Sequence, residues 1–169
     1  IIYNLISSKA VPEVIAENGG VGIRSRVGHS YIKSMMAETG AVFGGEHSGH
    51  FYFNDFWRAD SGMLAALYAL AELMASNLSL SELLKPYNRY VSSGEINTKV
   101  KDVTKSISRV RDKYHGEYQV DELDGLTITA DTWWFNLRPS NTEPLLRLNV
   151  EADTEKEMIK IRKAVLALI

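Results

Sequence analysis

The sequence predicts an α/β layer domain followed by an α+β domain. Two observations carry this reading. Short apolar strands alternate with helical stretches over roughly the first 55 residues. After a polar, glycine-containing segment, RYVSSGE (Arg89 to Glu95), the pattern changes to successive strands bracketed by two helices.

Taken in order, IIYNLI (Ile1 to Ile6) reads as a buried strand. Ser7 and Ser8 precede a helix with Val11, Val14 and Ile15 on one stripe, and Gly19-Gly20 stops it. VGIRS (Val21 to Ser25) is a second strand, and HSYIKSMMAETG a second helix ending at Gly40. AVFG and HFYFN follow as two more short strands, and the alternation points to a parallel sheet. MLAALYALAELMA (Met63 to Ala75) is too short to span a bilayer and predicts a buried helix, capped by Asp60 or Ser61. A further helix is expected over Leu80 to Tyr87, disturbed by Pro86.

In the second half, EINTKV alternates as a strand and Thr104 to Tyr114 as an amphipathic helix. EYQV, LTITA, WWFNLR and LLRLNVEA are then four strand candidates in a row, with Asp124-Gly125 as a turn. Thr154-Glu155-Lys156-Glu157 has the form of a capping box opening the last helix. The expected result is an antiparallel sheet with helices on one face.

Composition narrows the function. A net charge of -2 gives no footprint for nucleic acid or an anionic membrane. There is no cysteine, which removes disulfides, thiolate catalysis and cysteine-ligated zinc, and makes a cytoplasmic location the simplest expectation. The chain opens at Ile1 inside a strand-like run, so a fragment of a longer protein is expected.

Two loops concentrate the chemistry. RPSNTEP (Arg138 to Pro144) offers a guanidinium fork, the hydroxyls of Ser140 and Thr142 and the amide of Asn141, donors suited to a phosphate. The same residue types also make an ordinary solvated turn. GGEHSGH (Gly44 to His50) admits three chemistries. His47 and His50, with His29, could hold a metal. Glu46 with His50 or His29 could form an acid/base pair. Glu46 and Ser48 could hold neighbouring sugar hydroxyls. His29 lies in RVGHS (Arg26 to Ser30), at the carboxyl end of a strand, where ligands usually bind. It or Ser30 could equally serve as a helix N-cap.

RVGHS, GGEHSGH and RPSNTEP together, in this order and spacing, resemble the α-D-phosphohexomutases, the phosphomannomutase/phosphoglucomutase family. The resemblance covers nearly the whole chain. It implies residues 1–90 as most of that family's third domain, a three-layer α/β/α fold lacking its first strand and helix. Residues 91–169 would be the fourth domain, a four-stranded antiparallel sheet with two helices, TATA-binding-protein-like. Glu46 and Ser48 match the loop that binds the sugar 3- and 4-hydroxyls, and His50 that loop's last histidine, near the substrate. Arg26, where many members have lysine, and His29 match basic residues beside the transferred phosphoryl group. Arg138, Ser140, Asn141 and Thr142 match the grip on the other phosphate, and His47 takes no role.

The implied reaction interconverts hexose 6-phosphate and hexose 1-phosphate through a phosphoserine and a bisphosphate intermediate. The implied partners are mannose and glucose phosphates and the absent domains one and two. Mg²⁺ is implied for the whole enzyme, with its ligands in domain two and none here. The fragment alone is expected to be inactive. The remaining alternatives are a phosphoglucosamine mutase fragment, a metal-dependent hydrolase using Glu46, His47 and His50, and a stand-alone phosphosugar-binding or interaction module.

Overall fold

The computed structural model describes residues 1–140 and 143–169. The chain forms two compact units, Ile1–Arg89 and Tyr90–Ile169.

The first unit carries a five-stranded mixed sheet. Strands β1 (Ile2–Asn4), β2 (Ile23–Ser25), β3 (Phe43–Gly45), β4 (Phe51–Phe53) and β5 (Ala59–Asp60) lie in the order β2-β1-β3-β4-β5. The β2-β1-β3 part is parallel, as the strand-helix alternation predicts, with α1 (Ala10–Glu17) and α2 (His29–Thr39) as crossovers. Strands β4 and β5 depart from that expectation and run antiparallel. The reason is chain length: the short link from Gly45 to Phe51 can only turn back, whereas a parallel pair needs a crossover of about a dozen residues. The core here is Ile2, Ile32, Met36, Ala41 and Tyr52. Arg89, at the end of the unit, clasps Glu13 and Glu17 of α1.

Helix α3 (Gly62–Ser76) corrects the expectation of burial. None of its residues is buried; Met63 and Met74 are 79% and 83% exposed. Its apolar composition raised that expectation, but burial requires a facing surface as well as an apolar helix. Among the described residues α3 meets the sheet side through Tyr68 stacked on Phe53, with an apolar groove lined by Phe43, Phe51, Phe53 and Ala65. Ser61, not Asp60, caps it by accepting from the Leu64 amide. The next helix, α4 (Leu80–Leu84), is shorter than expected and tightens at Pro86 into a 3₁₀ turn.

The second unit is an antiparallel sheet of five strands, one more than the family resemblance implied. EINTKV belongs to β6 (Val91–Lys99), which pairs with the long strand β10 (Leu145–Ala152). The order is β6-β10-β9-β8-β7, with β7 (Gln119–Asp121), β8 (Leu126–Thr129) and β9 (Trp133–Pro139). Helices α5 (Val103–Tyr114) and α6 (Glu155–Leu166) cover one face. Strand alternation sorts the two faces. Phe135 and Leu137 of β9 and Leu146, Leu148 and Val150 of β10 join the helix-covered core. Each such side chain contributes roughly 1.5–3 kcal/mol by leaving water. Trp134, Asn136 and Arg138, with Asn149 and Glu151, point the other way and are buried but polar. Some of their polar atoms are paired within the sheet: Trp134 Nε1 donates to Glu151, and Asn136 Nδ2 to Thr127 and the Asp124 carbonyl. Asn136 Oδ1 and Asn149 Nδ2 are buried without a hydrogen-bond partner.

Half of the expected capping box forms at α6. Thr154 accepts from the Glu157 amide, but the Glu157 carboxylate turns to Thr132 instead of returning to the cap. The reciprocal box occurs at α4, between Ser79 and Glu82.

Candidate functional site

Parallel strands end together, so the loops after β2 and β3 meet at one edge of the first sheet. Ser25 ends β2 and delivers Arg26 and His29; Gly45 ends β3 and delivers Glu46 to His50. A turn closes the second loop, with the Gly49 amide donating to the Glu46 carbonyl at 3.0 Å and the Glu46 amide to the His50 carbonyl at 2.9 Å. His47, Ser48, Gly49 and His50 stand exposed on this turn.

Glu46 is the exception, only 7% exposed. Its Oε1 accepts from the Tyr52 hydroxyl at 2.7 Å. Its Oε2 accepts from the Gly28 amide at 3.1 Å and lies 3.5 Å from Nδ2 of Asn4. One carboxylate therefore ties β1, the RVGHS loop, the GGEHSGH loop and β4 together. A carboxylate offers about four acceptor positions, so these bonds leave room for further acceptance. Burial first, and the bond to Glu46 second, push the Tyr52 hydroxyl far above the ordinary phenol range, which keeps it a donor.

Arg26 is exposed, its guanidinium 5.0 Å from the Tyr31 ring centroid. His29 is the exposed first residue of α2. The N-cap is Gly28, and neither His29 nor Ser30 caps the helix with its side chain.

His50 has a defined partner. Its Nδ1 lies 2.5 Å from Oδ2 of Asp60, and Oδ1 of Asp60 accepts from the Phe51 amide at 2.9 Å. The hydrogen bond to Asp60 is the main cause that raises the His50 pKa, and the same bond lowers that of Asp60.

In the second unit, Arg138 and Arg147 are register partners on β9 and β10. Both reach Glu95 of β6, each at 3.2 Å: Arg138 Nη2 to Oε2 and Arg147 Nη1 to Oε1. Arg138 is buried, and the Nε atoms of both arginines are buried without a hydrogen-bond partner. The Ser140 amide donates to the Leu145 carbonyl at the mouth of the loop. Asn141 and Thr142, expected in the phosphate grip, lie outside the described residues.

Among the described residues, no group of three histidine, aspartate or glutamate side chains is placed to hold a metal ion. Glu46, His47 and His50 do not form one. Among the described residues no single helix is long and apolar enough to cross a membrane.

The family model for the phosphoglucomutase/phosphomannomutase α/β/α domain III matches residues 1–90, and the model for that family's C-terminal domain matches residues 95–168. The chain belongs to the phosphoglucomutase/phosphomannomutase family. A phosphomannomutase of Methanocaldococcus jannaschii is 49% identical over 158 residues, which are 94% of this chain and 35% of that protein. A phosphomannomutase of Escherichia coli is 38% identical over 160 residues, again 35% of its length. A solved phosphoglucomutase/phosphomannomutase family protein from Burkholderia thailandensis superposes with a TM-score of 0.83 at 29% identity. It matches 99% of this chain, which covers 36% of that protein. The chain thus spans about a third of the phosphohexomutases it matches.

Against the family motifs, the sequence reading missed Asn4, Tyr52, Asp60, Glu95 and Arg147. Arg147 carried a signal, since polar residues alternate at 147, 149 and 151 along β10. Asn4 and Glu95 carried none, because their partners lie 42 and 43 or more positions away.

Proposed function

We propose that this chain supplies the sugar and phosphate grips of a hexose-phosphate mutase, which interconverts hexose 6-phosphate and hexose 1-phosphate. The observation that carries the reading is Glu46, one carboxylate that ties the GGEHSGH loop to the Gly28 amide of the RVGHS loop. Residues suited to hydroxyls and residues suited to a phosphoryl group therefore share one sheet edge.

In this reading residues 1–90 and 91–169 are the third and fourth domains. Glu46 and Ser48 accept and donate hydrogen bonds to the sugar 3- and 4-hydroxyls. Mannose and glucose differ at C2, so a grip on these two hydroxyls admits both sugars. Arg26 and His29 neutralise the phosphoryl group in transfer, and His50 stands beside the reacting oxygen. Arg138, Ser140, Asn141 and Thr142 hold the second phosphate, which must fit in either orientation of a bisphosphate intermediate. The phosphoserine that donates the phosphoryl group, and the Mg²⁺ that offsets its charge, belong to parts of the enzyme beyond this chain. The fragment alone has no mutase activity, and the compartment proposed is the cytoplasm.

The test uses titration calorimetry on the enzyme that contains this chain. Arg138→Ala is expected to weaken both inorganic phosphate and mannose 6-phosphate. Glu46→Ala is expected to weaken the sugar phosphate and spare inorganic phosphate. Equal losses of inorganic phosphate in the two variants would overturn the division of labour. Conversion of mannose 6-phosphate by the isolated chain would overturn its inactivity.

A further inference from the structure

The link between β4 and β5 is strained. Trp57 and Arg58 both sit at φ 54°, in the left-handed region that costs a residue with a Cβ about 1–2 kcal/mol. Two consecutive positive-φ residues suit a tight hairpin turn whose twist matches its strands. That turn sets the register in which Asp60 stands opposite Tyr52, with the Ser61 amide on the Phe51 carbonyl at 2.9 Å. Strain of this kind persists where the surrounding structure requires one conformation. The register it enforces brings the Asp60 carboxylate to the His50 ring.

Asp60 is held at two points. One oxygen takes the Phe51 amide, and the other takes His50 Nδ1. The side chain is therefore unable to swing away without breaking a backbone bond. It is also not used where a helix cap would use it, since Ser61 has that task. We propose that Asp60 is a positioning residue for His50: it fixes the ring through Nδ1, so that Nε2 is the nitrogen presented to the phosphosugar.

A carboxylate on Nδ1 selects the tautomer with the proton on that atom. Neutral His50 then has a free acceptor at Nε2, and the imidazolium form has a donor there. Among the described residues, the charged and titratable groups coupled to the pair are Glu46 after β3, Tyr52 on β4 and Lys33 on α2. Glu46 adds to the stabilisation of protonated His50, Asp60 acts on Tyr52, and Lys33 favours ionised Asp60. The hold of Asp60 on His50 stands on geometry alone; only the identity of what Nε2 meets rests on the mutase reading.

Nuclear magnetic resonance titration of the His50 ring in this chain tests the hold. In the wild type, the midpoint should lie above the ~6.5 of a free imidazole, and the neutral form should carry its proton on Nδ1. Asp60→Asn keeps an oxygen for the Phe51 amide but loses the charge. It should move the midpoint down toward the free value, and Asp60→Glu should restore part of the rise. An unchanged midpoint in Asp60→Asn, or a wild-type neutral form protonated on Nε2, overturns the proposal. The wild-type tautomer decides the question even if a variant fails to fold. In the enzyme containing this chain, Asp60→Asn should lower kcat about 10-fold or more, part of the 10²–10⁴-fold that acid-base catalysis supplies in full, with a smaller change in KM. A shifted titration beside an unchanged kcat supports the hold and overturns the placement of His50 at the reacting oxygen.

Discussion

The Tyr52 hydroxyl donates to Oε1 of Glu46 across 2.7 Å, and both residues are buried. This bond joins the first unit's core to its loop edge. Tyr52 is fully buried beside Ile2, Ile32 and Met36, while Glu46 begins the exposed turn. The loop is therefore anchored by a carboxylate whose partners come from the interior.

Tyr52→Phe keeps the ring and removes the donor. Glu46 then has a buried oxygen without its partner, which costs about 1–3 kcal/mol. Urea unfolding should show a lower midpoint with an unchanged slope. Glu46→Gln should also destabilise, because its amide nitrogen would face either the Gly28 amide or the Tyr52 hydroxyl, both donors in the native arrangement. Full stability in both variants would mean that the bond is not an anchor.

Much of the architecture is legible in the sequence, and its limits have physical causes. The parallel strands and their helices follow from period and stop signals, as do the strand segments and two helices of the second unit. Strand β5 was missed because the turn that leads into it holds Trp57 and Arg58 in left-handed backbone without a glycine to announce it. Asp60 looked like a cap because caps are local, whereas its partners, His50 and the Phe51 amide, are set by hairpin register. Glu46 was visible as a polar loop residue, but its burial depends on Tyr52 and Gly28. The apolar run of α3 fixes helix formation and says nothing of which surface will meet it.

Two glycines separate conformation from packing. Gly125 has φ +73°, and an added Cβ would lie 2.6 Å from both Arg138 Cβ and the Leu137 carbonyl oxygen. Gly49 has φ +85° with open space around its Cβ position. Gly49→Ala should cost about 1–2 kcal/mol for the left-handed backbone alone. Gly125→Ala should cost roughly 1–3 kcal/mol more from overpacking against backbone, and should disturb the base of Arg138. Thermal unfolding of both variants checks the order; equal costs would contradict it.

The His50–Asp60 pair gives a pH window. His50 has a raised folded pKa, so its contribution is full below the unfolded value, ~6.5, and fades as pH rises through the folded value. Asp60 has a lowered folded pKa, so its contribution is full above the unfolded value, ~3.9, and fades as pH falls through the folded value. The pair contributes most between mildly acidic and near-neutral pH. The wild type should therefore lose stability relative to Asp60→Asn on both sides of that window. The exposure of both side chains keeps the effect small. Parallel pH-dependence curves for the two proteins would contradict the pairing.

Glu95 sets two expectations in opposite directions. Its carboxylate joins Arg138 and Arg147 across three adjacent strands, on the polar face of the second sheet. If Arg138 holds a phosphate, Glu95 is a negative charge beside an anion. At ~6 Å through water, each unit of charge repulsion is worth about 0.7 kcal/mol, and a phosphate dianion doubles it. Glu95→Gln should therefore tighten inorganic phosphate binding about 3- to 10-fold. The same change removes a charged acceptor from a buried arginine, costing about 1–3 kcal/mol of stability. Calorimetric phosphate titration and urea unfolding of one variant read both effects. Tighter binding with lower stability fits a carboxylate that competes with the ligand. Weaker binding would mean instead that Glu95 serves the site by aiming the arginines, and that Arg138 meets phosphate only while the carboxylate holds it.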